Sequence, residues 1–232
     1  MSPTWREVWD RRQLDPSLGS TLAQLMAADG LDTGFGSVTE IAWRAFVDHV
    51  ACTLDLRAGT RVFEAGCGAG AFLYPLYDAG CTVAGLDRSP ALVSYAAQAM
   101  PGGQFTVGDA ATINPAESFD VVLSCGVFLY FPSLDYARTV VERMTTKATR
   151  AVAILDVPDL ARQAQAMALR RGTLGEAAYE EKYRGLDHLY YEKTWLVDVL
   201  RACGLSRTHV EDQAIPGYAN AAYRFNVFGW KE

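Results

Sequence analysis

Arg61-Val62-Phe63-Glu64-Ala65-Gly66-Cys67-Gly68-Ala69-Gly70 decides how the rest of the chain is read. Three alternate glycines close a short apolar run, and a helical pattern, Ala71-Phe72-Leu73-Tyr74-Pro75-Leu76-Tyr77, begins at once. Glycine lacks a Cβ, so the backbone can bend sharply and lie directly against a ligand. A turn of this kind between a strand and a helix builds a nucleotide site in open α/β folds.

Outward from that turn the chain alternates strand and helix. The spacing predicts strands at 61–65, 82–86, 104–107, 119–124 and 151–155, with helices at 69–79, 90–99 and 134–144. Such a succession makes a doubly wound α/β fold, a parallel sheet with helices on both faces. Farther on, a long polar and helical segment, Pro158 to Glu192, precedes a helix near 194–202. Two strand-like runs, 206–213 and 223–230, then follow with only a loop between them. A parallel pair needs a crossover of a dozen or more residues, so the last strand is expected to be antiparallel. The sheet is predicted to be mixed and seven-stranded. Upstream, Ile41, Ala42, Ala45, Phe46 and Val50 recur at helical spacing after Gly34-Phe35-Gly36-Ser37. Ser37 or Thr39 is the candidate cap, with Glu40 completing a capping box from Ser37. Residues 1–58 are expected to form a helical cap, 158–192 a lid, and 1–232 a single domain.

The bulk numbers are those of one globular domain: 232 residues, half of them hydrophobic, about a fifth charged. A formal charge of -6 argues against a broad nucleic-acid footprint. The basic pairs Arg11-Arg12 and Arg170-Arg171 are read as solvated surface. Five cysteines without a Cys-x-x-Cys pair speak against a disulfide framework or structural zinc and for a reducing compartment. No signal pattern opens the chain and no apolar run is long enough for a bilayer. A cytoplasmic protein without membrane or nucleic-acid partners is expected, its oligomeric state open.

Gly66-x-Gly68-x-x-Ala71 fits the dinucleotide fingerprint only weakly. Glu64 ahead of the glycines would oppose a pyrophosphate but suit an ammonium, and the loop lacks a P-loop lysine. Acids also end the second and third strands, in Leu86-Asp87 and Gly108-Asp109-Ala110. With Glu64–Gly70 and Phe119-Asp120-Val121-Val122-Leu123-Ser124, these give four ordered motifs in which the chain resembles the class I S-adenosylmethionine-dependent methyltransferases. The resemblance covers roughly residues 60 to 232, terminal hairpin included, and implies the Rossmann-like methyltransferase fold.

It also implies roles. S-adenosylmethionine would be the cofactor and S-adenosylhomocysteine the product. The turn at Gly66, Cys67 and Gly68 would hold the methionyl part, with Glu64 near its ammonium. Asp87, with Arg88 beside it, would accept the ribose hydroxyls, because a carboxylate has two acceptor oxygens for a diol. Asp109 and Ala110 would meet the adenine, and Ser124, Cys125 and Gly126 would border the sulfonium. A small-molecule acceptor would receive the methyl on oxygen or nitrogen.

Aromatic walls suit a cationic donor and exclude water. Candidates are Trp5, Trp9, Phe35 and Trp43, the run 126–131 with Tyr130, and the run 187–192 with Tyr190 and Tyr191. Substrate contacts are expected at Tyr130, Tyr190 and Trp43, and catalytic roles at His188, Asp156 and Tyr191. His188 is the candidate general base because imidazole titrates near neutrality. No metal is expected. A nicotinamide oxidoreductase, an RNA methyltransferase and a non-catalytic S-adenosylmethionine-binding module stay open as alternatives.

Overall fold

The computed structural model describes residues 4–31 and 37–232. The chain break expected at Gly34-Phe35-Gly36, and Phe35 as a wall residue, lie outside these. Seven strands form one sheet in the order β3-β2-β1-β4-β5-β7-β6: β1 Arg61–Ala65, β2 Thr82–Asp87, β3 Gln104–Val107, β4 Phe119–Cys125, β5 Ala148–Pro158, β6 Arg207–Asp212 and β7 Arg224–Trp230. Strands β1 to β5 pair in parallel. Strand β7 is antiparallel to both β5 and β6.

Burial on both faces explains why the central strands are nearly continuous apolar runs. Successive side chains point to opposite faces. Val62, Val83 and Val121 therefore pack under the helices α2 (Thr21–Ala28), α3 (Glu40–Thr53), α4 (Leu73–Asp78) and α5 (Pro90–Ala99). Phe63, Ala84 and Val122 join Val140 and Leu200 on the other face, beneath α6 (Leu134–Lys147) and α9 (Lys193–Ala202). By the same alternation Glu64 shares the face of Val62. A short helix, α1 (Trp5–Asp10), and the pair α7 (Gln163–Leu174) and α8 (Glu176–Tyr183) complete the described helices.

Some boundaries differ from the sequence pattern, each for a local reason. The helix expected from residue 69 starts at Leu73, because Gly66, Gly68 and Gly70 hold φ of 80°, 52° and 90°. A right-handed helix cannot pass through such residues. At Gly66 a Cβ would come within 2.6 Å of Val127 Cγ2, so the turn also needs glycine for packing. The cap of α3 is Thr39, which accepts from Ala42 N at 3.2 Å; the Ser37–Glu40 box does not form, and Glu40 accepts from Ser20 Oγ instead. Helix α6 runs on to Lys147, whose Nζ donates to the carbonyls of Asn114 and Glu117. Strand β5 extends to Pro158 past an irregularity near Asp156, whose φ of 57° lies in the left-handed region. Ser89 caps α5 with Pro90 at its first position. Among the described residues no helix is long and apolar enough to cross a membrane.

Candidate active site

A cavity of about 420 Å³ opens at the carboxyl ends of β1, β2 and β4, where ligands bind in sheets of this topology. Its floor is the glycine turn and the start of the 126–132 loop. Its roof comes from α1, the end of α2, and the segment from α7 through His188. The loop joining β6 to β7 closes one side with Ile215, Tyr218 and Asn220.

One end of the cavity is acidic. Asp87 Oδ2 accepts from Gly68 N at 3.0 Å and its Oδ1 from Ser89 N at 2.8 Å. Glu64 is 2 % exposed, and among the described residues its Oε2 has no hydrogen-bond partner. A third carboxylate arrives from outside the sheet. Asp29, at the end of α2, accepts from Ala69 N at 2.6 Å and Ala71 N at 2.9 Å. It sits where a Cβ on Gly68 would be. Burial and the neighbouring Asp87 raise the Asp29 pKa to about 7, against the pull of its two backbone hydrogen bonds. Burial first, then Asp29 and Asp87, push Glu64 well above the usual carboxylate range. Desolvation likewise raises Asp87, with Asp10 adding to it. Three acids that disfavour one another's ionisation form a site for a cation.

The other end is aromatic and basic. Trp5 stacks on His188 with ring centroids 4.8 Å apart and leans on Tyr130 at 4.7 Å. Trp9 meets Tyr130 edge-on. Arg170, 4 % exposed, donates from Nη1 to His188 Nδ1 at 3.1 Å and to Tyr190 Oη at 3.0 Å. Arg224, also buried, donates to the Asp156 carbonyl at 3.0 Å and lies 3.6 Å from its carboxylate. Tyr218 and Gln213 hold the same carboxylate.

The family model described as the methyltransferase domain matches residues 63–152. That stretch is similar to a methyltransferase domain. The chain is 34% identical over 94 residues to the magnesium-protoporphyrin O-methyltransferase of Rhodobacter capsulatus, covering 38% of this chain and 41% of that protein. It is 32% identical over 96 residues to the ubiquinone biosynthesis O-methyltransferase of Bradyrhizobium diazoefficiens, covering 40% and 38%. The chain thus spans about two fifths of the length of these curated relatives. The crystal structure of magnesium protoporphyrin IX methyltransferase from Synechocystis PCC 6803 with bound S-adenosylhomocysteine superposes with a TM-score of 0.61, covering 83% of this chain and 84% of that one. At 20% identity that likeness is one of fold.

Within the matched stretch the expected cofactor residues divide. Glu64, Gly66, Cys67, Gly68, Asp87 and Arg88 line the cavity, as do Ala110 and Cys125. Ser124 does not: it is 1 % exposed and donates to Ala65 O, a link between β4 and β1. Asp109 stands behind the wall, accepting from Ala111 N and Tyr136 Oη, with Arg88 3.8 Å away. Burial raises the thiols of Cys67 and Cys125 well above their ordinary range, so both stay protonated.

Of the other expected residues, Tyr130, Trp43, Asp156 and His188 line the cavity. Tyr191 corrects the expectation for it. It is wholly buried and donates to Phe128 O at 2.8 Å, a core position with no face on the cavity. Tyr190 is not part of the cavity lining and reaches it through Arg170. His188 is a poor base in this setting: burial, then Arg170 and Arg224, lower its pKa to about 2, and Arg170 occupies Nδ1. Arg170 is the second correction, a buried wall residue where solvated surface was expected. Its signal was the four-residue step from Ala166, which puts both on the inner face of α7. Asp29 had no signal; only packing of α2 on the glycine turn brings it in. Among the described residues no cluster of histidine, cysteine and carboxylate side chains is arranged to hold a metal ion.

Proposed function

We propose that this chain is an S-adenosylmethionine-dependent methyltransferase acting on an oxygen or nitrogen of a small organic molecule. The observation that carries the reading is the acidic end of the cavity in a methyltransferase domain. Glu64 Oε2 is buried without a partner among the described residues, within electrostatic reach of two further carboxylates, Asp29 and Asp87. An orphaned buried acceptor is costly unless a donor or cation completes it, and a group carrying an ammonium and a sulfonium does so. S-adenosylmethionine, when bound, supplies a methyl group on a cationic sulfur.

The residues would divide the work as follows. Asp87 uses one lone pair of each oxygen on Gly68 N and Ser89 N, and the remaining lone pairs suit a vicinal diol. Glu64 and Asp29 hold positive charge over the glycine turn. Trp5, Trp9 and Tyr130 exclude water and hold the acceptor in line, a positional effect worth as much as ~7–11 kcal/mol of barrier. Asp156 is the proton acceptor this reading keeps. The names of the two curated relatives, both O-methyltransferases, favour oxygen over nitrogen. The roof over the cavity favours an acceptor small enough to be enclosed.

Titration calorimetry tests the donor half. S-adenosylmethionine should bind, and Asp87→Ala should weaken it at least about tenfold, the loss of a charge-assisted pair of hydrogen bonds. Unchanged affinity, or stabilisation by a nicotinamide dinucleotide and none by S-adenosylmethionine, would sink the reading.

A further inference from the structure

Most acids of the cavity gather at one end. Asp10, Asp29, Glu64 and Asp87 lie at the donor end, with Arg6, Arg12 and Arg88 beside them, whereas Arg170, Arg224 and Lys182 face the aromatic end with one carboxylate, Asp156. Arg224 has Asp156 as its counter-ion. For Arg170 no ion pair is formed among the described residues. Its hydrogen bonds there run from Nη1 to two neutral acceptors, His188 Nδ1 and Tyr190 Oη. A guanidinium cannot shed its charge by losing a proton, so a buried one without an anion is left uncompensated.

A second orphan lies on the same wall. Asn220, 8 % exposed, presents an amide Oδ1 with no hydrogen-bond partner among the described residues, and the buried indole Nε1 of Trp9 has none among them either. The rest of that end is apolar or aromatic: Leu129, Leu186, Ile215 and Trp5. An unmatched guanidinium, two unpaired polar atoms and apolar walls together suit a ligand that is anionic at one point and apolar elsewhere.

We propose that the acceptor is an aromatic or apolar monocarboxylate whose carboxylate is anchored on Arg170. The planar guanidinium fork matches a carboxylate in two parallel hydrogen bonds. A single unmatched charge fits a monoanion better than a phosphate. His188 and Tyr190 are then positioning residues, accepting from Nη1 so that the rest of the fork stays free. His188 can fill that place because it is neutral, held so by burial and by both arginines. The inference rests on the methyltransferase reading and adds the substrate class to it.

The test uses the full-length protein saturated with S-adenosylhomocysteine. Indole-3-acetate, 4-hydroxycinnamate and benzoate are titrated calorimetrically beside their primary carboxamides, which keep the shape and remove the charge. At least one acid should bind about tenfold or more tighter than its amide. Arg170→Met should abolish that preference, and Arg170→Lys should restore part of it. Both variants should keep the wild-type affinity for S-adenosylhomocysteine, which also reports that they fold. Equal binding of every acid and its amide overturns the proposal, as does a preference that survives in Arg170→Met. Inorganic phosphate outcompeting the acids overturns it in favour of a phosphorylated acceptor. Failure of the acids with S-adenosylhomocysteine still bound refutes this inference alone. Failure of S-adenosylhomocysteine itself refutes the methyltransferase reading.

Discussion

Single residues of one type do different work here according to where their polar atom ends. Tyr130 and Tyr191 lie in similar aromatic runs, yet one walls the cavity and the other ties the 128–131 turn to the core. Tyr191→Phe removes the hydrogen bond to Phe128 O and should cost about 0.5–1.5 kcal/mol of stability. Urea unfolding would measure it, with kcat unchanged; a large fall in kcat at unaltered stability would return Tyr191 to the chemistry. Asp156 is a different case. Its left-handed backbone is rare for a residue with a side chain, and its carboxylate is held by Tyr218, Gln213 and Arg224. Backbone strain kept by so many partners at a cavity wall is the kind stored at functional sites.

Elements were legible in proportion to how locally they are determined. Strand β1 and helix α5 begin and end where apolar runs and cap residues put them, because strand burial and N-capping act within a few residues. Helix α4 starts at Leu73 instead of residue 69 because the same glycines that mark the turn also forbid the helix. Helix α1 shows the opposite limit. Its six residues include none that is buried, and a Thr4–Glu7 capping box alone does not sustain so short a helix. It is held through Trp5, whose Nε1 donates to Asp187 O at 2.9 Å and whose ring lies on His188 and Tyr130. Trp5→Ala should therefore lower the melting temperature little and raise the acceptor KM about tenfold, from two ring contacts of ~0.5–1.5 kcal/mol each. Steady-state kinetics would decide it; an unchanged KM would remove α1 from the acceptor wall.

At the scale of the molecule, the acidic end gathers side chains from α2, β1 and β2, and its pH behaviour belongs to all of them. The Asp29 pKa is about 7 in the folded protein against an ordinary 3.8, so the folded state holds that proton more tightly than the unfolded chain. Its contribution to stability is full below about pH 4 and is lost as pH rises through about 7. A bound cation favours the ionised acids, so S-adenosylmethionine affinity should rise over the same window, by up to about tenfold per pH unit for each proton released. Asp29→Asn should flatten both trends, leaving the part due to Glu64 and Asp87. Melting curves and calorimetry between pH 5 and 8 check this; equal slopes in wild type and variant would show Asp29 to be uninvolved. By itself the sequence determined the sheet and the glycine turn, with Glu64 and Asp87 at its edges, because these depend on spacings within one strand–turn–helix unit. Tertiary structure alone decided that Asp29 caps that turn and that Arg170, Arg224 and Asn220 meet at the far end. Those groups lie on segments far apart in the chain, and what brings them together is the packing of whole helices and loops over the sheet, which no local spacing encodes.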